Sequence, residues 1–98
     1  VRVPVTTMDA VAAQLGLERL DLVKMDIEGS EVQALHGARR TLLRLRPDVI
    51  VETHVVRGHS TEGEVRTALS EAGYADVRSH RHDADTSVVF ARGRHSPV

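Results

Sequence analysis

An open α/β domain is predicted for this chain by two observations. Leu20 to Glu31, L-D-L-V-K-M-D-I-E-G-S-E, is an apolar run ending in carboxylates and a glycine, the pattern of a buried parallel strand entering a loop. A second apolar strand, Asp48 to Thr53 (D-V-I-V-E-T), follows after one helical segment. A strand, a short crossover and a strand make a right-handed βαβ unit with adjacent parallel strands. The sheet edge beyond the carboxyl ends of such strands is where ligands bind in open α/β folds.

Taken in order, Val1 to Thr6 is a short β-prone segment that Pro4 confines to an edge or a strand start. Thr7 is a predicted N-cap, and Met8, Val11, Ala12 and Leu15 form the stripe of a short helix closed by Gly16. Asp9, in the first turn, reads as a negative charge on the positive helix end. The first strand spans Asp21 to Asp26, Gly29 makes the turn, and a helix starts at Gly29 or Ser30 with Glu31 in its first turn. Its stripe is Val32, Leu35, Leu42 and Leu45, with Gly37 in mid-helix. Arg39, Arg40, Arg44 and Arg46 complement its negative end, and Pro47 ends it.

After the second strand, His54 to Ser60 reads as a loop. Thr61 with Glu64 resembles a capping box, and Val65, Ala68, Leu69 and Ala72 continue a helix to Gly73. Tyr74 to Ser79 and Thr86 to Arg92 are strands of a hairpin around the polar turn His80 to Asp85. In the last strand Ser87, Val89 and Ala91 alternate with Val88, Phe90 and Arg92. His95 to Val98 is a tail.

Composition narrows the function classes. The 98 residues make one small domain, and the 41% hydrophobic content supports a core of Val, Leu, Ile and Ala, since Phe90 and Tyr74 are the aromatic residues. A net charge of −1 gives no field to recruit nucleic acid or an anionic membrane. The absence of cysteine excludes disulfides, thiolate metal sites and a cysteine nucleophile. No apolar run reaches the roughly 18 residues of a membrane span, and no signal-peptide pattern opens the chain, so the expected location is cytoplasmic. Val1 stands where an initiator methionine would, and the pattern starts midway, as in a piece of something longer.

Chemistry gathers at the two strand ends. Leu22, Lys24 and Asp26 share one strand face, so the single lysine of the chain must be paired or must reach the strand's end, with Glu52 or Asp26 as counter-ion. Asp26 and Glu28, two apart, can point into one cleft and suit metal binding, general-base work or hydrogen bonding to hydroxyls. Glu52 and His54 share a face of the second strand, and an imidazole beside carboxylates suits proton removal. The two pairs should lie about 5 Å apart across one strand spacing. His36, His59, His80, His82 and His95 read as surface residues. His80-x-His82-x-x-Asp85 resembles a metal spacing, but a solvated hairpin turn is the simpler reading. No glycine-rich nucleotide loop, P-loop, G-x-S-x-G or zinc helix motif is present.

V-P-V-T-T-M-D (Val3 to Asp9), D-L-V-K-M-D-I-E-G-S-E (Asp21 to Glu31), A-L-H-G-A (Ala34 to Ala38) and R-P-D-V-I-V-E-T-H (Arg46 to His54) are similar, in order and spacing, to the C-terminal half of the FkbM family of S-adenosylmethionine-dependent methyltransferases. The resemblance covers Val3 to about Gly73. It implies a partial Rossmann-like methyltransferase fold: two parallel strands with crossover helices plus a C-terminal antiparallel hairpin. Asp21 to Asp26 would be the fourth strand, Asp48 to Thr53 the fifth, and the hairpin the sixth and the antiparallel seventh. The family's glycine-rich loop and the acidic residue after its second strand lie upstream, so residues 1 to 98 would be the substrate-side part of one domain.

The resemblance further implies S-adenosyl-L-methionine as cofactor, with no cofactor-binding residue assigned here, and methyl transfer to a small-molecule hydroxyl acceptor on a sugar or secondary metabolite. Asp26, Glu28 and His54 would align that hydroxyl and take its proton, with Lys24 and Glu52 supporting them and no metal ligand assigned. Two alternatives stand beside it. One is a magnesium or manganese site built from Asp26, Glu28, Glu52 and His54. The other is a non-enzymatic remnant pairing with another chain through an exposed sheet edge.

Overall fold

The computed structural model describes residues 6–26 and 30–93, which form a mixed α/β sheet. β1 (Leu22–Met25) pairs in parallel with β2 (Asp48–Val56) in the register Leu22↔Asp48 to Met25↔Val51. β4 (Asp76–Arg81) and β5 (Thr86–Arg92) form the expected antiparallel hairpin, and β5 lies antiparallel against β2, giving the order β1-β2-β5-β4. β3 (His59–Ser60) is a short addition that folds back on the end of β2. The expected segment over Val1 to Val5, the turn at Gly29 and the tail His95 to Val98 lie outside the described residues.

The sheet buries one face. Val23, Met25, Val49, Val51, Val89 and Ala91 point into a core shared with Leu35, Leu42, Val65 and Leu69 of the helices. Each Val, Leu or Met among them contributes about 1.5–3 kcal/mol by leaving water. The alternate positions stay wet: Leu22 is 53% and Phe90 37% exposed, and Lys24 is exposed. The first strand is therefore half-buried, a correction to the two-sided burial that its apolar run predicts.

α1 (Met8–Leu15) has the predicted caps: Thr7 Oγ1 accepts from the Ala10 amide at 3.1 Å, and Gly16 takes the left-handed conformation. Its stripe is only half used, because Ala12 is buried while Val11 and Leu15 face outward. The single helix expected after the first strand is broken into α2 (Glu31–His36) and α3 (Arg39–Leu45). Gly37 closes α2 rather than sitting in mid-helix, and the start of α1 holds the break open. The Asp9 amide donates to the Gly37 carbonyl at 2.9 Å, and a Cβ on Gly37 would stand 3.1 Å from Thr7. Asp9 also caps α3, accepting from Arg40 N, Thr41 N and Thr41 Oγ1 at 3.1, 2.8 and 2.7 Å. Burial alone would push the Asp9 carboxyl up, but the Thr41 hydroxyl and the Thr41 and Arg40 amides together hold it below its ordinary value.

β2 runs on through the segment expected to be loop. Arg57 and Gly58, both with positive φ, make the two-residue turn that sends the chain back as β3. His54 accordingly stands on a strand. α4 (Glu62–Glu71) follows Thr61, but the expected capping box does not form. The Thr61 hydroxyl is engaged by the His54 backbone, and Glu64 pairs with His59 at 2.7 Å. Tyr74 precedes β4 instead of starting it: its hydroxyl donates to the Pro47 carbonyl at 2.6 Å, and its ring lies 4.5 Å under the Arg46 guanidinium. Among the described residues no helix is long and apolar enough to cross a membrane.

Candidate functional site

The parallel pairing of β1 and β2 fixes the site. Asp26 is the first residue beyond β1, one step past the paired Met25 and Val51, so it emerges beside Glu52. Glu52 and His54, two apart on β2, share the face that Asp26 joins. The result is one cluster: His54 Nε2 lies 3.6 Å from Asp26 Oδ1 and 3.9 Å from Glu52 Oε1. Both gaps exceed a direct hydrogen bond, so this ring edge faces two carboxylates without being bonded to either.

The other ring edge is tied down. His54 Nδ1 stands 3.0 Å from Oε1 of Glu31, the first residue of α2, whose side chain is fully buried. Glu31 Oε2 is buried with no hydrogen-bond partner among the described residues. The His54 backbone is held too: its carbonyl accepts from the Thr61 hydroxyl at 3.3 Å and from the Thr61 amide at 3.2 Å. The hydrogen bond to Glu31 is the main reason the His54 pKa is raised. Burial opposes it, and the charges of Glu31, Asp26 and Glu52 add to it.

Three of the residues singled out by sequence, Asp26, Glu52 and His54, are thus brought together. Glu28 lies outside the described residues. Lys24 does not join the cluster: it is exposed and makes no ion pair within 4.0 Å among the described residues. Because its face of the sheet is open, its ammonium reaches water. Glu31 was missed as a site residue, since a carboxylate in a first turn reads as a helix-end charge. The available signal was its spacing of four from Leu35, which puts it on the inward face. His80 stands on β4 instead of in the expected turn, where His82 and Asp85 do lie; all three are exposed, and Asp83 ties the turn by accepting from the Asp85 and Thr86 amides.

Donor atoms of Asp26, Glu52 and His54 all lie within 4.8 Å of one another, a set that can hold a cation. A groove of about 540 Å³ lies between α2 and α4, and Asp26, Glu31, Glu52 and His54 are not among the residues that line it. Val32, next to Glu31, and Ser60, next to Thr61, line it together with His36, His59 and Thr67.

The imidazole and its flanking carboxylates lie beyond the last parallel pair of β1 and β2, the side on which open α/β sheets generally bind ligands. The chain belongs to the methyltransferase FkbM domain family, whose profile matches residues 1–75. It is similar to the AMB antimetabolite synthetase AmbE of Pseudomonas aeruginosa, 36% identical over 64 residues that make up 65% of this chain and 3% of that protein. It is also similar to the methyltransferase sdnD of Sordaria araneosa, 36% identical over 79 residues covering 79% of this chain and 30% of that protein. The chain therefore spans less than a third of either relative's length. No solved structure matches it.

Proposed function

We propose that this chain is the substrate-side part of an S-adenosylmethionine-dependent methyltransferase of Rossmann-like fold that methylates a hydroxyl of a cytoplasmic sugar or secondary metabolite. The observation that carries this reading is the approach of His54 Nε2 to Asp26 at the joint edge of β1 and β2. The cofactor supplies an electrophilic methyl group when bound. The described residues do not fit it by themselves: Gly58 lies in a hairpin turn and Gly63 inside α4, and no described glycine links a strand end to a helix start to approach its charged groups.

The residues of this chain handle the acceptor. A hydroxyl placed between His54 Nε2 and Asp26 donates to the ring, is oriented by the carboxylate, and passes its proton to Nε2 as its oxygen becomes nucleophilic. The imidazolium so formed has Glu31 on one edge and Asp26 and Glu52 on the other, which stabilises the charge as it develops. Glu28, two residues beyond Asp26, is proposed to aid alignment on the strength of the family pattern.

Replacing His54 by Gln in the full-length protein should lower kcat by about 10²–10⁴-fold, the usual contribution of a positioned base. Cofactor binding measured by calorimetry should be unchanged. A loss below about threefold would remove His54 from the chemistry. A second reading rests on the closeness of the Asp26, Glu52 and His54 donor atoms, which suits magnesium or manganese. Manganese titration should then broaden NMR signals of these three residues selectively, and full activity in the presence of chelator would exclude it.

A further inference from the structure

We propose that Glu31 is the positioning residue of the site: its buried carboxylate holds the proton of His54 on Nδ1 and so keeps the Nε2 lone pair facing Asp26 and Glu52. The inference deepens the reading of His54 as proton acceptor and rests on it for its catalytic consequence. The tautomer itself stands on geometry alone.

Neutral histidine in water favours the proton on Nε2, the wrong edge for this site, and a hydrogen bond to the other nitrogen reverses that choice. Here the partner of Nδ1 is Glu31 at 3.0 Å, whose carboxyl in its ionised form can only accept. The proton of the contact therefore belongs to the ring. At the opposite edge 3.6 and 3.9 Å separate Nε2 from the two carboxylates, too far for either to hold a competing proton in a good hydrogen bond. The Thr61 hydroxyl and amide clamp the His54 backbone, and the ring is 16% exposed.

The burial of Glu31 argues in the same direction. A fully buried carboxylate with one oxygen lacking a partner among the described residues is an unfavourable way to fill space at the start of a helix. Among the described residues its side-chain hydrogen bond is to the imidazole. A residue kept for packing alone would be better served by an apolar side chain on that face, beside Leu35.

The test is ¹⁵N NMR of the imidazole in the full-length protein, at a pH where the ring is neutral, combined with methyl-transfer kinetics. The wild-type ring should show Nδ1–H as the major tautomer, and the Nε2–H form as the major species would overturn the proposal without any substitution. Glu31→Gln, which keeps the shape and removes the charge, should lower kcat by about 10–100-fold with little change in acceptor KM. Glu31→Asp should recover part of the rate. A folded Glu31→Gln protein with wild-type kcat, beside an impaired His54→Gln protein, would overturn the positioning role. An unimpaired His54→Gln protein would instead overturn the proton-acceptor reading, while the NMR result would still decide the tautomer.

Discussion

Asp9 gives the sharpest test of how the fold is held. One of its oxygens accepts both the amide and the hydroxyl of Thr41, and the other accepts the Arg40 amide, so a residue of α1 does the capping that Ala38 cannot do for α3. Asp9→Ala removes all three bonds. Loss of an N-cap costs about 1 kcal/mol. The Thr41 hydroxyl, on a side chain only 3% exposed, then lacks its acceptor, which adds about 1–3 kcal/mol. The expected total is near 3 kcal/mol, read as a lower urea midpoint at unchanged slope. Asp9→Asn keeps an oxygen for Thr41 but turns an N–H toward Arg40, and should lose about 1 kcal/mol. The folded carboxyl is held below its ordinary 3.8, so its contribution is full above that value and is lost as the pH falls through the lower folded value. Wild type should therefore lose stability relative to Asp9→Asn on acidification below about pH 4. An Asp9→Ala protein within about 0.5 kcal/mol of wild type would refute the capping account.

Other consequences follow from the same contacts. Tyr74→Phe deprives the buried Pro47 carbonyl of its donor and should destabilise by about 1–2 kcal/mol in denaturant titrations. Burial pushes the Tyr74 phenol up to about 12, so its contribution should fade as pH rises from about 10 towards that value, visible as delayed phenolate absorbance in the folded protein. Lys24→Met, at an exposed position without an ion pair among the described residues, should change stability by less than about 0.5 kcal/mol; a loss above 2 kcal/mol would reveal a buried role. Gly93→Ala would drive a Cβ into the Arg46 and Pro47 carbonyls, and thermal melts should show at least about 1–3 kcal/mol of destabilisation.

Much of the fold was legible because it is written in local rules. Thr7 and Gly16 bound α1, alternation in Thr86 to Arg92 chose the buried face of β5, and one short crossover made β1 and β2 parallel neighbours. The misreadings share a cause. Local pattern puts Gly37 in mid-helix, Thr61 in a capping box and His54 in a loop, yet each is decided by a partner distant in sequence or by the backbone of the next turn. A run of apolar letters does not tell whether one or both faces of a strand are covered, and so does not tell whether Lys24 needs a counter-ion.

Residue types and their spacing by themselves determined that carboxylates and an imidazole end two adjacent strands, since strand period and crossover length are properties of the chain alone. What only tertiary structure decided is which of those groups meet. Glu31 reaches His54 because α2 is packed with its first residue inward, and Lys24 stays in water because its face of the sheet lies open. Distances of 3 to 4 Å between side chains on separate elements depend on packing, and packing is a property of the whole fold.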